Sequence, residues 1–322
     1  MPFSRIYSLT AAVVLACTPT FAAAQTQFRV LVGYPPGGAQ NFLARVFAEK
    51  IGEATGHTFV VENRTGAAGQ LAAEALKAAA PDGATLLMSA DSNISAYPHT
   101  VKKPAYLPLA DFVPLAHTGD YRIAIAVSNS VPANDLGSFI ASTKAQSKPT
   151  GYGTAGAGTT LHFYGVLFAQ ATGAQMYHVP YRGSGPAILD LIAGHVPAAV
   201  LPLGSLAPHA KSGKIKVLGQ SGENRSASLP DAPSFKELGY PVLAVSGWYG
   251  LFAPAGTPMD IVNRYNSIVV QALRTPELGK RMRDFELDIR ELSPREFLDM
   301  VRVDTERWGP IIRASGFTAG SE

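Results

Sequence analysis

Phe28-Arg29-Val30-Leu31-Val32, Thr58-Phe59-Val60-Val61 and Ala84-Thr85-Leu86-Leu87-Met88 are three short apolar runs rich in β-formers. Between the first two, Phe42, Leu43, Val46, Phe47 and Ile51 recur at helical spacing on one face, with Gly52 and Gly56 behind them as stops. Between the second and third, residues 71–80 form an Ala-rich helical stretch halted by Pro81-Asp82-Gly83. Strand, helix, strand, helix, strand is the signature of a parallel sheet with helices packed on its faces.

Working outward, the pattern pauses over an irregular, Pro-containing stretch, 97–114, and then restarts. Ile123-Ala124-Ile125-Ala126-Val127 reads as a strand and 136–147 as a helix. A short strand ends at Gly151-Tyr152-Gly153, and a helix covers 161–171. Residues 176–179 read as a strand, and 187–193 as a helix stopped by Gly194. Strands at 198–201 and 215–218 follow, and 259–316 is mostly helical, with stops near Pro276 and Pro294. The α/β unit is thus coarsely duplicated, which predicts two doubly wound α/β lobes around a ligand cleft. The expected division is 25–120 plus 246–322 for lobe 1 and 121–245 for lobe 2. Two crossover segments are expected, near 117–121 and 245–250.

Residues 1–24 read as a cleavable secretory signal peptide. Arg5 supplies the positive start, Leu9 and residues 11–16 the apolar stretch, and Ala22-Ala23-Ala24 the small-residue cleavage site. That stretch is far short of the ~20 residues of a membrane span. Lipidation at Cys17 is the less favoured reading, because Leu15 stands where such a site wants a small residue.

Composition narrows the function. Of 322 residues 16% are charged, too few for a charge-rich disordered chain. One Cys excludes a disulfide scaffold and Cys-rich metal sites. A net charge of +3 leaves no nucleic-acid footprint.

Two loops carry candidate chemistry. The first is Tyr34-Pro35-Pro36-Gly37-Gly38-Ala39-Gln40-Asn41. Its prolines stiffen the approach, and its glycines let backbone N–H groups face a ligand. The helix start behind them adds unpaired donors and partial positive charge, a site for an anion and most simply a carboxylate. A tight turn with nothing bound is the alternative. The second is Gly151-Tyr152-Gly153-Thr154-Ala155-Gly156-Ala157-Gly158-Thr159-Thr160, of which Thr154, Ala157, Gly158 and Thr159 are the ligand candidates. It matches G-x-G-x-x-G, but no acid appears before Asp190, so a dinucleotide is not expected, nor any other cofactor. Tyr181 and Arg182 in Val179-Pro180-Tyr181-Arg182-Gly183 lie close behind; Arg182 either adds charge to the cleft or forms a surface ion pair. The seven histidines show no metal-ligand spacing, Arg182-Gly183-Ser184-Gly185-Pro186 is not G-x-S-x-G, and no nucleophile, base and orienter assemble. The chain is not expected to be an enzyme.

The chain resembles the substrate-binding proteins of tripartite tricarboxylate transporters, the Bug family, over essentially all of its length after the leader. The marks are Tyr34-Pro35-Pro36-Gly37-Gly38 with Ala44-Arg45, and Val61-Glu62-Asn63-Arg64-Thr65-Gly66-Ala67-Ala68-Gly69. Ala80-Pro81-Asp82-Gly83-Ala84-Thr85-Leu86-Leu87 and Val179-Pro180-Tyr181-Arg182-Gly183 follow. Leu229-Pro230-Asp231-Ala232-Pro233 and Gly250-Leu251-Phe252-Ala253-Pro254-Ala255-Gly256-Thr257-Pro258 complete the set. The resemblance implies a two-lobed periplasmic binding protein, expected as a monomer, that captures a carboxylate and delivers it to separate permease subunits. It also implies that the Pro-Gly-Gly loop holds one carboxylate and that the loop at 154–160 receives the ligand's far end. Two departures stand out: Asn41 where the family usually has Asp, and Leu201-Pro202-Leu203 where it usually has Phe-Asp-Asn. Without those acids the pocket is less suited to an amino group, and Tyr34, Tyr181, Leu201, Leu203 and Phe163 become candidate apolar walls. The expected ligand is a di- or tricarboxylate or an aromatic carboxylate. Ser89 and Asp91, in Met88-Ser89-Ala90-Asp91-Ser92, are further candidates, and Asp91 keeps an acidic amino acid open. A role as a sensor presenting the ligand to a membrane signalling partner also remains open.

Overall fold

The computed structural model describes residues 27–319; the expected leader and Cys17 lie outside them. The deciding stretch folds as β1 (Phe28–Val32), α1 (Ala39–Thr55), β2 (Phe59–Asn63), α2 (Gln70–Lys77) and β3 (Thr85–Ala90). β1 pairs in parallel with β2 on one side and β3 on the other. α1 buries Phe42, Leu43, Val46, Phe47 and Ile51 against this sheet and stops at Gly56, whose φ of 76° is the left-handed cap that glycine tolerates best. Gly52 is not a stop. It lies inside α1, where a β-carbon would sit 2.7 Å from the His57 carbonyl oxygen, so it permits a close approach.

The stretch read as irregular holds α3 (Pro108–Asp111) and the start of β4 (Phe112–Tyr121). The segments about the two expected crossings lie largely in strands: β4 runs antiparallel to a later strand, Gly247–Pro254, across a ladder with two register shifts. The reason lies in the breakers along β4. Pro114 cannot donate to a ladder and Gly119 weakens one, so the local sequence argues against a strand. The register step that pairs Phe252 with Pro114 and Leu251 with Ala116 leaves Leu115 as a bulge beside the proline, and the non-local partner completes the strand.

The second unit is β5 (Ile123–Ser128), α4 (Leu136–Ala145), β6 (Thr150–Thr154), α5 (Thr160–Thr172), β7 (Met176–Pro180), α6 (Ser184–Ala193), β8 (Ala198–Pro202), α7 (Leu203–Lys211) and β9 (Ile215–Gln220). The chain then returns through β10 (Gly247–Pro254), α8 (Met259–Leu273), α9 (Pro276–Asp284), β11 (Leu287–Asp288) and the 22-residue α10 (Pro294–Ser315). Two mixed sheets result, ordered β11-β4-β10-β3-β1-β2 and β7-β6-β8-β5-β9, each flanked by helices. The fold is therefore the expected two-lobed α/β architecture, with antiparallel strands added to each parallel set.

The outward crossing is one residue, Arg122, between β4 and β5. Its guanidinium bonds the carbonyl oxygens of Asn224 (2.5 Å) and Ser221 (3.4 Å) on the returning segment and pairs with Asp288 at 3.1 Å. One side chain thus ties both crossings together.

Candidate functional site

The first loop leaves β1 and enters α1 at the carboxyl end of the parallel strands, where α/β sheets place ligands. Pro36, Gly37 and Gly38 are exposed, Gly37 has φ 108°, and Gly38 is the N-cap of α1 with no side-chain capping bond. The first-turn N–H groups of Ala39, Gln40 and Asn41 therefore have no intrahelical partner. The side chains of Gln40 and Asn41 turn inward instead. Gln40 Nε2 donates to the Met88 carbonyl at 2.6 Å, and Asn41 Nδ2 donates to Asn63 Oδ1 at 3.2 Å. Asn63 Nδ2 in turn donates to the Tyr34 carbonyl at 2.7 Å. These bonds fix the loop to the ends of β2 and β3, so what it can present to an anion is backbone. Tyr34 is half-buried and donates its O–H to the Ala68 carbonyl at 3.0 Å.

The second loop is held as firmly. Thr159 caps α5, accepting from the His162 N–H at 3.3 Å and donating to the Gly156 carbonyl at 2.8 Å. Thr154 Oγ1 donates to the Gly156 carbonyl and lies 2.7 Å from His178 Nε2. The Gly158 N–H donates to His162 Nδ1 at 3.3 Å, which assigns the ring proton to Nε2. The His162 and His178 rings stack at 3.8 Å and 13°, with Phe317 edge-on to His162. Burial lowers both imidazoles, to about 4 for His162 and about 3 for His178, with the neighbouring ring's charge adding to the latter. Ala157 and Gly158 remain half-buried on the loop's surface. Tyr181 donates to Asp190 Oδ2 at 2.8 Å, and its N–H holds the Thr154 carbonyl at 3.0 Å. Arg182 is exposed and has no ion-pair partner among the described residues. Leu201, Leu203 and Phe163 are fully buried in the core.

The second loop approaches the turn before α2 at Ala68, whose carbonyl also accepts the Tyr34 O–H of the first loop. A β-carbon on Gly156 would lie 3.4 Å from Ala68 Cβ. Deeper in, Asp91 follows β3 and is 1% exposed. Its Oδ1 accepts from the Ser92 N–H (2.8 Å), the Tyr121 O–H (2.9 Å) and the Thr160 O–H (3.0 Å). Ser92 Oγ lies 2.9 Å from Thr160 Oγ1 and accepts the Thr160 N–H at 3.2 Å. Burial, with Asp304 nearby, pushes the Asp91 carboxyl up to about 8. Ser89 lies buried within β3, its hydroxyl donating to the Ala90 carbonyl at 3.1 Å. Thr160 enters the sequence reading only as the end of the 154–160 loop; Ser92, Tyr121 and Tyr249 are not among its candidates. The last two sit on β4 and β10, whose pairing no local pattern announces.

A cavity of about 760 Å³ opens elsewhere, beside the crossings. Three ion pairs lie in its walls: Arg122 with Asp288, Arg290 with Asp120 at 2.5 Å, and Arg307 with Asp304 at 2.8 Å. None of the loop residues line it. Among the described residues no cluster of three His, Cys, Asp or Glu is placed to hold a metal, and no helix is long and apolar enough to cross a membrane.

Comparison with known proteins agrees with this architecture. The family model described as "Tripartite tricarboxylate transporter family receptor" matches residues 43–317. Protein BugT of Bordetella pertussis is 30% identical over 289 residues, covering 89% of each chain. The solved structure of R. palustris Rpa4515 with adipate superposes with a TM-score of 0.84 at 28% identity, covering 91% of this chain and 98% of that one. MatC from Rhodopseudomonas palustris with bound malate gives 0.82 at 28% identity, covering 89% and 98%. These are periplasmic solute-binding proteins, not enzymes, and the chain belongs to their family, the tripartite tricarboxylate transporter receptors.

Proposed function

We propose that the protein captures a small carboxylate in the periplasm, a di- or tricarboxylate or an aromatic acid, and hands it to the membrane subunits of a tripartite permease. The observation that carries this reading is the uncapped N-terminus of α1 behind the exposed Pro36-Gly37-Gly38 turn, a set of backbone donors with no side chain to satisfy them. Relatives of similar fold hold adipate and malate, both dicarboxylates. On this reading residues 1–24 are removed on export. The lobes divide as 25–120 plus 246–322 and 121–245, close to Arg122 and the returning segment. The loop at 154–160 meets the ligand's far end through the surface of Ala157 and Gly158. Asn41 and Pro202 standing where the family usually has acids, together with Tyr34 and Tyr249 near the cleft floor, favour a ligand without an amino group.

Calorimetric titration of the purified protein against adipate, malate, benzoate-type acids, glutamate and aspartate tests this. A carboxylate without an amino group is expected to bind, and at one hundred times its Kd to stabilise the fold by about 2.7 kcal/mol in a melting experiment. Tight binding of glutamate or aspartate with none of the other acids would sink the preference.

A further inference from the structure

The two oxygens of Asp91 have opposite surroundings. Oδ1 accepts three hydrogen bonds, from Ser92, Tyr121 and Thr160, whereas Oδ2 is buried with no partner. The titratable groups facing this carboxyl are Tyr34 from the β1–α1 loop, Tyr121 from β4, Tyr249 from β10 and Asp304 from α10. From α5 it meets Thr160 and from its own turn Ser92, neither of which titrates. No cation is among these neighbours. An ionised Asp91 would leave one charged oxygen buried without a protein partner beside a second acid, an expensive arrangement. A protonated Asp91 removes the charge and turns Oδ2 into an O–H donor lacking an acceptor.

We propose that Asp91 is the ligand-selecting residue of the cleft floor, a neutral carboxyl whose Oδ1 is held by the protein and whose Oδ2–H is donated to a carboxylate oxygen of the bound acid. This rests on the carboxylate-binding reading above and adds the device by which an anion is accepted beside an acidic residue. A ligand carboxylate supplies the missing acceptor and makes a charge-assisted bond. A ligand ammonium finds a neutral group and no counter-charge, so amino acids are disfavoured. The carboxyl's own titration, near pH 8, sets the working range. Below it the proton is resident and binding moves none. Above it each bound anion draws one proton from solvent, so affinity falls about tenfold per pH unit.

The test has a ligand-free arm and a ligand arm. Carbon-13 spectra of the Asp carboxyls, with the Asp91 signal assigned by its loss in Asp91→Asn, are expected to show Asp91 titrating near pH 8 in the unliganded protein; titration near the ordinary carboxylate range overturns the proposal. Calorimetry with adipate, malate and glutamate then runs from about pH 6 to about 9.5. Wild-type affinity for a dicarboxylate is expected to hold to about pH 7.5 and then to fall about tenfold per unit. Asp91→Asn, which keeps an N–H donor, is expected to bind more weakly but to lose this fall, and Asp91→Leu to bind about 10–100-fold more weakly throughout. Melting curves establish that both variants are folded, and the wild-type carboxyl titration stands whether or not they are. Wild-type binding indifferent to pH, full-strength binding by Asp91→Leu, or a preference for glutamate that Asp91→Asn abolishes overturns the proposal. If none of these acids, nor benzoate, binds while Asp91 titrates near pH 8, the carboxylate function falls and takes the ligand role of Asp91 with it, leaving only its protonation. That pattern is distinguishable from loss of the selecting role alone.

Discussion

Three residues near the cleft put opposed pH dependences into one fold. His162 and His178 titrate in the folded protein at about 4 and about 3, below the ordinary 6.5, because burial disfavours their charge. The unfolded chain takes up protons first as pH falls, so their contribution is fully present above about pH 6.5 and is lost on the way down to 3–4. Asp91 runs the other way. Its folded value of about 8 lies above the ordinary 3.8, so the folded form keeps a proton that the unfolded chain has released. Its contribution is intact below about pH 4 and is lost as pH rises through 8. Each group contributes at most ~1.4 kcal/mol per pH unit within its window. Replacing His178 with Phe keeps a ring against His162 while removing one titration and the bond to Thr154. Urea midpoints of His178→Phe are expected to lie below wild type at pH 7 and to decline less steeply toward pH 4.5. A parallel decline in both proteins contradicts the stacked pair's role. Of these residues the sequence marked Asp91 as a candidate because it is an acid at a strand end. Its partners were hidden: Tyr121 is 30 residues away and Thr160 is 69 away, distances that only the folded sheets close.

At the scale of elements, legibility followed periodicity. β1 to β3 and β5 to β9 were readable because apolar runs alternate with helical spacing and glycine stops, and the exposed turn and uncapped helix start of the Pro-Gly-Gly loop were readable from its glycines. β4 and β10 were not readable. Every residue of β10 is buried, so it has no polar alternation, and Gly247, Gly250 and Pro254 read as punctuation. Their glycines are there for fit. A β-carbon on Gly247 would lie 2.1 Å from Tyr121 Cζ, and one on Gly250 2.3 Å from Phe297 Cζ. Gly247→Ala therefore displaces the Tyr121 ring and with it the hydroxyl that holds Asp91 Oδ1. Overpacking of this kind costs ~1–3 kcal/mol. The variant is expected to unfold at correspondingly lower urea. A change below ~0.5 kcal/mol would mean the ring relocates freely and the tyrosine does not hold the acid. The same reasoning separates the helix starts: α5 is closed by its own Thr159, while α1 begins at a bare glycine, so the two similar-looking Gly-rich loops offer different numbers of free donors.

For the molecule as a whole, the question is what keeps the two lobes together without a ligand. Covalently they share only Arg122 and the returning segment, and Arg122 binds that segment, so the crossings act as one joint. α10 reinforces the joint. It packs on β4 and the turn at 92–96 and also on α5; beyond it Phe317 meets the rings of His162 and Phe163, and the Ala319 N–H bonds the Thr100 carbonyl at 2.7 Å. On the cleft side the seam is polar: Thr160 bonds Asp91 Oδ1 and Ser92 Oγ. Hydrogen bonds of this kind contribute ~1 kcal/mol each, enough together to bias a two-state opening by ~10-fold or more but not to lock it. On the proposed function, a ligand between the loops would have to loosen this seam to enter and then supply its own contacts, on the μs–ms scale of lobe motions. Thr160→Val keeps the side chain's shape, deletes its hydroxyl and leaves the backbone bond to Ser92. Small-angle scattering of unliganded Thr160→Val is expected to give a larger radius of gyration than wild type, returning to the wild-type value at saturating adipate. Equal radii for the two unliganded proteins would place the energy of closure in the α10 joint and not in the seam. A radius that stays large with adipate bound would mean that the Thr160 hydroxyl is needed to close the lobes on a ligand, beyond holding them together without one.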